Sequence, residues 1–382
     1  REQPILDLRI KKAASTGARI FVFGPDRIDL TRFGRWTTVG SDSIAALLRA
    51  IAHVWLRDGL HAATFVGERV DGLETLKLEL ARSSPEAVEE AVGLQATEIE
   101  KLARDLAAAA ATTSPAPSLA ILFRRDLTGQ GSDAARREVV AAIADLALLA
   151  GCVGQPSGGL YPLLNEANEQ GNIDMGVAPD RLPGQRSSDD PTARAALEAL
   201  WAKPLPVGPG LSGAEMVAGG VRALYLVGQD PAKDPHLLAG LNGLEFLVAQ
   251  DVFLTATAAR ADVVLPGVTF AERDGTFTNL ERRVQRLRPG IAPPGEAKQD
   301  WEIVRDVANA LGGGFDYSRP QDVLAEITLA TPIYRGMTYE RIGDKGIQWP
   351  RGASGLGARS LYEVDMRFAV GPDASIPVGG GR

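Results

Sequence analysis

The chain has 382 residues, 41 Lys and Arg against 48 Asp and Glu (formal net charge −7), one cysteine and three histidines. That length exceeds one average domain and points to two, and an acidic balance without a dense Lys/Arg cluster excludes a nucleic-acid binder. Cys152 alone can neither close an internal disulfide nor hold an iron–sulfur cluster, which takes about four thiolates; His53, His61 and His236 show no metal-ligand spacing; and no apolar run reaches the ~18 residues that cross a bilayer.

Residues 6–15 read as a helix with a basic outer face. The start has neither an initiator Met nor a signal-peptide apolar region, so the chain reads as a segment cut from a longer polypeptide at both ends. Residues 18–23, ARIFVF, form a short buried strand, turned out by Gly24-Pro25-Asp26. Residues 41–57 follow as an amphipathic helix that Ser41 or Asp42 can cap, with Ile44, Leu47, Leu48, Ile51 and Val54 on one face. Ser84-Pro85-Glu86 opens another helix with proline at its first position. Residues 98–111 are helical, 119–123 a strand, and 133–149 a long helix running into the Gly/Pro loop that holds Cys152, read as a small buried apolar residue. This alternation predicts an α/β fold with parallel sheets wrapped by helices. A first domain is expected over 1–159.

From 160 to 213 the chain is loop-rich. The run Gly208-Pro209-Gly210-Leu211-Ser212-Gly213 matches a dinucleotide fingerprint, but the preceding KPLPV is broken by two prolines and is no buried strand, so an ordinary loop is expected. Strand–helix order returns with strands at 222–227, 244–248 and 261–265, helices at 235–241 and 255–260, and closing helices at 298–311 and 320–328. A second domain is expected over 160–350, then a glycine-rich extended tail over 351–382.

Gly228-Gln229-Asp230-Pro231 closes one of these strands, and Asp251 and Thr255 follow the next. Adjacent parallel strands bring Asp230 and Asp251 to the same sheet edge, where open α/β sheets hold ligands. A capped strand–helix turn explains each residue equally well. No nucleophile–base pair, metal cluster or phosphate-cradling loop accompanies them.

The run DVFLTATAARADVVLPGVTFAERDGTFTNLERRVQ, residues 251–285, resembles the signature loop of the molybdopterin oxidoreductase superfamily. Other matches come in the family's order across residues 4–350. LALLAGCVGQPSGG is similar to its helix-to-loop passage. LNEANEQGNIDMGVAPDRLPG resembles its pterin-facing loop, with Gln170, Gly171, Asp174, Met175, Gly176, Pro179, Pro183 and Gly184 in place. GQDP at 228–231 resembles a G-E-[ND]-P turn, and GDKGIQWP at 343–350 the close of the second α/β unit. The strongest match is ADVVLP with Glu272, Gly275, Phe277, Thr278, Arg282 and Gln285.

The resemblance implies two interleaved, doubly wound, mainly parallel sheets of the formate dehydrogenase/DMSO reductase type. It is nearest the large iron–sulfur subunit of respiratory NADH:quinone oxidoreductase (complex I). On that reading Asn165, Asn168, Gly171, Gly228, Asp230, Asp251 and Thr255 line a vestigial pterin/nucleotide crevice, with no catalytic or metal-ligating residue. Two departures support an eroded crevice. Gly24-Pro25-Asp26 stands where cofactor-holding members carry D-P-R, and Glu166 would set a negative charge beside a pyrophosphate. Molybdopterin is then not expected. The segment is scaffold, with iron–sulfur clusters held upstream. Its partners are that upstream domain and the other hydrophilic subunits, with no nucleic acid and no membrane insertion, on the cytoplasmic side of the bacterial inner membrane. The alternative is the cofactor-binding core of a formate-dehydrogenase-like molybdopterin oxidoreductase, which GDKGIQWP favours.

Overall fold

The computed structural model describes residues 3–111, 119–124, 133–155, 158–164, 166–350 and 367–371. The chain forms two compact units, Arg1–Asn165 with Arg359–Arg382, and Glu166–Ala358.

The first unit is built around the helix Ile44–Arg57, whose Leu47, Ile51, Val54 and Trp55 are all but inaccessible. It packs between helices Ala96–Ala110 and Asp133–Leu149. A helix so apolar on several sides is stable only when buried. Each of its large side chains contributes about 1.5–3 kcal/mol of transfer free energy. Trp55 also donates from Nε1 to the Ala103 carbonyl at 2.8 Å, so its polar edge is satisfied inside the core. Ser41–Ser43 forms a 3-10 turn ahead of the helix, and neither Ser41 nor Asp42 is the cap: the N-cap is Ser43, without a side-chain bond.

Two parallel pairs flank these helices, Phe21–Gly24 with Arg35–Thr38 and Ala120–Arg124 with Gly159–Leu163. Cys152 is fully buried, and burial pushes its thiol up to about 12. Residues 58–83, which the sequence reading passed over, hold the helices Ala63–Arg69 and Leu73–Leu80.

Part of the expected extended tail is ordered. Phe368–Ala369 pairs in parallel with Val70–Asp71. Phe368 is buried and stacked on Phe65 at 6.3 Å, and Arg367 Nε reaches both carboxylate oxygens of Asp71 at 3.0 Å. The rest of 351–382 lies outside the described residues.

The second unit carries a three-stranded parallel sheet in the order Val263–Pro266, Phe246–Asp251, Ala223–Val227. An antiparallel ribbon accompanies it: Gly275–Thr278, Arg283–Leu287 and Ile347–Gln348. The sequence reading took the ribbon for a loop, because its short strands are polar on both faces. The architecture is mixed α/β, with sheets of two or three strands each. Within 160–213 the helix Pro191–Trp201 was missed, although Asp190 caps it by accepting from Thr192 and Ala193 amides at 2.9 and 3.1 Å and Pro191 takes its first position. Gly208–Gly213 is loop up to Ser212, which caps a single short turn.

Candidate cofactor site

The carboxyl ends of two neighbouring strands do meet. Val227 lies beside Gln250 in the parallel register, and the Gly228 amide donates to the Gln250 carbonyl at 2.9 Å. Gly228 has φ +62°, a conformation that turns the chain off the strand and favours glycine. Asp230 follows. Its Oδ1 accepts from the Thr257 amide at 2.9 Å and the Thr257 hydroxyl at 2.6 Å. Its Oδ2 is buried without a well-aligned hydrogen bond, 3.1 Å from Lys233 Nζ. Thr257, first, and then Lys233 hold the Asp230 carboxyl below the usual range. Thr257 was not singled out from sequence, yet it is buried and also accepts from the Ala232 amide at 3.0 Å, so it ties two loops at this edge.

Asp251 ends the neighbouring strand. Its Oδ1 accepts from the Val252 amide at 2.7 Å, whereas Oδ2 carries no hydrogen bond among the described residues. Thr255 Oγ1 accepts from the Ala258 amide at 3.1 Å and opens the turn Ala258–Arg260, where a longer helix was expected. Gly228, Asp230, Asp251 and Thr255 therefore share one edge.

Asn168 and Gly171 belong to a second group, anchored to the ribbon. Asn168 Oδ1 accepts from the Thr278 amide at 2.8 Å. A Cβ on Gly171 would lie 2.3 Å from that same oxygen, so only glycine lets the helix Glu169–Asp174 come this close. Asn165 lies outside the described residues.

The loop after Gly171 is organised by Asp174, which is fully buried and has no cationic partner among the described residues. It accepts from Gln170 Nε2 at 2.9 Å, Gln185 Nε2 at 2.6 Å, Tyr334 Oη at 2.8 Å and Trp349 Nε1 at 2.8 Å. Burial pushes its carboxyl up, against these four bonds. Arg282 lies over the Trp349 ring at 5.3 Å and donates to its carbonyl. Beside the sheet edge, Gln250 Nε2 donates to Asp300 Oδ1 at 2.8 Å and Arg273 pairs with Asp300 Oδ2 at 2.5 Å. Sequence spacing gave Asp174, Gln170 and Arg282 as motif letters only. Their partners Tyr334 and Trp349 stand 160 and 175 positions from Asp174, so no local signal joins them.

Glu166 and Asp26 are both exposed. Exposed carboxylates interact weakly with other charges, at about 0–1 kcal/mol. What the sheet edge offers is an acceptor, Asp251 Oδ2, without a hydrogen bond among the described residues; Asp230 Oδ2 is buried beside Lys233.

The family model for molybdopterin oxidoreductases matches residues 1–310. The chain belongs to the molybdopterin oxidoreductase family. It is 36% identical to the probable oxidoreductase YjgC of Bacillus subtilis over 98% of this chain and 38% of that protein. The F420-dependent formate dehydrogenase subunit alpha of Methanocaldococcus jannaschii is 35% identical over 91% of this chain and 52% of its own length. Formate dehydrogenase H of Escherichia coli is 34% identical over 91% of this chain and 49% of its own length. The chain thus spans about half or less of these relatives. Acetylene hydratase from Pelobacter acetylenicus shares the fold, with a TM-score of 0.65 at 21% identity over 96% of this chain and 51% of that structure. These relatives favour the formate-dehydrogenase-like alternative over the complex I subunit that the sequence reading ranked first. Among the described residues no helix is long and apolar enough to cross a membrane, and no three His, Cys, Asp or Glu are grouped to hold a metal ion.

Proposed function

We propose that this chain is the cofactor-binding portion of a formate-dehydrogenase-like molybdopterin oxidoreductase, acting on a small one-carbon or comparably compact substrate. The likeness to two formate dehydrogenases over 91% of the chain carries this reading. It also counts against the expectation that molybdopterin is not held. The residues present fit a guanine-linked pterin on chemical grounds. A guanine edge presents N–H donors, and carboxylate oxygens are acceptors only. Asp251 Oδ2 is free, and Asp230 Oδ2 lacks an aligned donor. Asp251 would take the donors of the base, while Asp230, turned inward onto Thr257 and Lys233, would hold the neighbouring loop. Gly228, open on its side-chain face, would let the ligand approach the backbone. Asn168, with Nδ2 unpaired among the described residues, would donate to the pterin side. When bound, the group would supply the two-electron redox chemistry.

What this chain's own residues do is hold and orient. Thr257 fixes the Asp230 carboxylate, and Asp174 fixes the loop bearing Asn168 and Gly171. The test is expression in cells that make the molybdenum cofactor, followed by metal analysis and release of the pterin as a fluorescent derivative. About one pterin per protein is expected, falling at least tenfold in Asp251→Ala without loss of folded protein. Wild-type protein folded but free of pterin under those conditions would refute the reading and favour a scaffold.

A further inference from the structure

In the first unit, the helices Ile44–Arg57, Leu73–Leu80 and Asp133–Leu149 and the backbone at Gly371 wall a cavity of about 460 Å³. One water takes about 30 Å³ of liquid volume, so the cavity has room for a small molecule. Helical spacing sets its walls: Ala141 and Asp145 stand four positions apart on one helix, and Leu76, Glu79 and Leu80 share a face of another. Asp145 is only 6% exposed and makes no ion pair among the described residues. Its Oδ1 accepts from the Gly371 amide at 3.1 Å, and its Oδ2 carries no hydrogen bond among the described residues. The Glu79 carboxylate converges on the same glycine, where a Cβ would lie 3.9 Å from its Oε2. Burial, with Glu79 adding to it, pushes the Asp145 carboxyl up to about 6. Arg49, also in the wall, is already paired with Glu138 at 2.6 Å. A buried carboxylate without a cation of its own, at the wall of a cavity, is short of a positive group.

We propose that this cavity binds a small ω-amino acid, a molecule with an ammonium at one end of a short aliphatic stem and a carboxylate at the other. An ammonium has three donors and no acceptor, which suits Asp145 Oδ2 and Glu79. Arg82 and Ser83 stand in the wall just beyond the helix Leu73–Leu80. Arg82 is exposed and has no ion pair among the described residues, so its guanidinium is available to a carboxylate. Leu76 and Ala141 give the stem an apolar wall. With two arginines and two carboxylates around the cavity, neither a bare cation nor a bare anion answers both signs. A hard divalent cation fits poorly, since it takes about six oxygens and would share the space with those arginines. The proposal is independent of the cofactor reading, whose described residues belong to the second unit.

The test titrates the 382-residue chain with three molecules of one stem length: δ-aminovalerate, pentylamine and valerate. The Gly371 amide, bonded to Asp145, reports binding through its NMR shift. The proposal expects a saturating shift with δ-aminovalerate and at least tenfold weaker affinity for pentylamine and for valerate. It also expects at least a tenfold loss of δ-aminovalerate affinity in Asp145→Asn and in Arg82→Ala. Arg82 is exposed, so the second variant keeps the fold should the first one alter it. No saturation by about 10 mM δ-aminovalerate would overturn the proposal. Pentylamine binding as tightly would also overturn it, leaving a pocket for cations alone. So would an Arg82→Ala variant of unchanged affinity.

Discussion

Replacing Asp174 separates a structural carboxylate from a dispensable one. Asp174→Ala leaves four donors without their acceptor. Trp349 is buried and left an orphan, at about 1–3 kcal/mol, whereas Tyr334 loses one partner and can still donate to Thr278 Oγ1, at about 1 kcal/mol. Gln170 and Gln185 are only part-buried and recover bonds to water, adding little. Relief of the desolvated charge gives some of this back, so the net loss should be about 2–3 kcal/mol. Asp174→Asn should cost about 1–2 kcal/mol. Its carbonyl can serve Tyr334 and Trp349, while its NH2 faces two glutamine amides that can flip to present oxygen.

The assay is urea unfolding read on the second unit, for instance through exchange of the Gly184 amide, which donates to the Asp174 carbonyl at 2.7 Å. A probe of one unit is needed because a chain of two units need not unfold in one step. An alanine variant within 1 kcal/mol of wild type, or an asparagine variant as damaged as the alanine one, would refute the reasoning.

Asp145 gives a pH signature in the first unit. Burial raises its carboxyl to about 6, and its Oδ1 accepts from the Gly371 amide at 3.1 Å. A raised folded value means the native state holds the proton more tightly than the unfolded chain, so this contribution is present below about pH 4 and lost as pH rises through about 6. Asp145→Asn should therefore gain on wild type by roughly 3 kcal/mol between pH 4 and pH 7, at about 1.4 kcal/mol per unit; parallel stability curves would contradict this. Gly171→Ala drives a methyl into Asn168 Oδ1 and should cost about 1–3 kcal/mol, with loss of protection at the Thr278 amide. Thr257→Val removes a donor to Asp230 and an acceptor for Ala232. It should raise the Asp230 pKa and destabilise by about 1–2 kcal/mol, as carboxyl NMR titration and amide exchange at Ala232 would show.

The shared edge of Gly228, Asp230 and Asp251 was readable in advance because it follows from local signals: a buried strand, a glycine, an acid, then a capped turn. The helix Ile44–Arg57 was readable for the same reason, since Leu47, Leu48, Ile51 and Val54 repeat at helical spacing. The ribbon was not, because Gly275–Thr278 and Arg283–Leu287 alternate polar groups on both faces and gain their stability from pairing. Tyr334 and Trp349 were invisible as site residues, because only the folded second unit brings them to Asp174.

The pairing of Phe368–Ala369 with Val70–Asp71 makes the second unit an insertion within the first. Arg367 grips Asp71 across 296 positions of sequence. At about 5–20 residues per second, a ribosome delivers that partner some 15–60 s after Asp71 has emerged. During synthesis the Phe65 surface therefore waits uncovered until Phe368 arrives to stack on it.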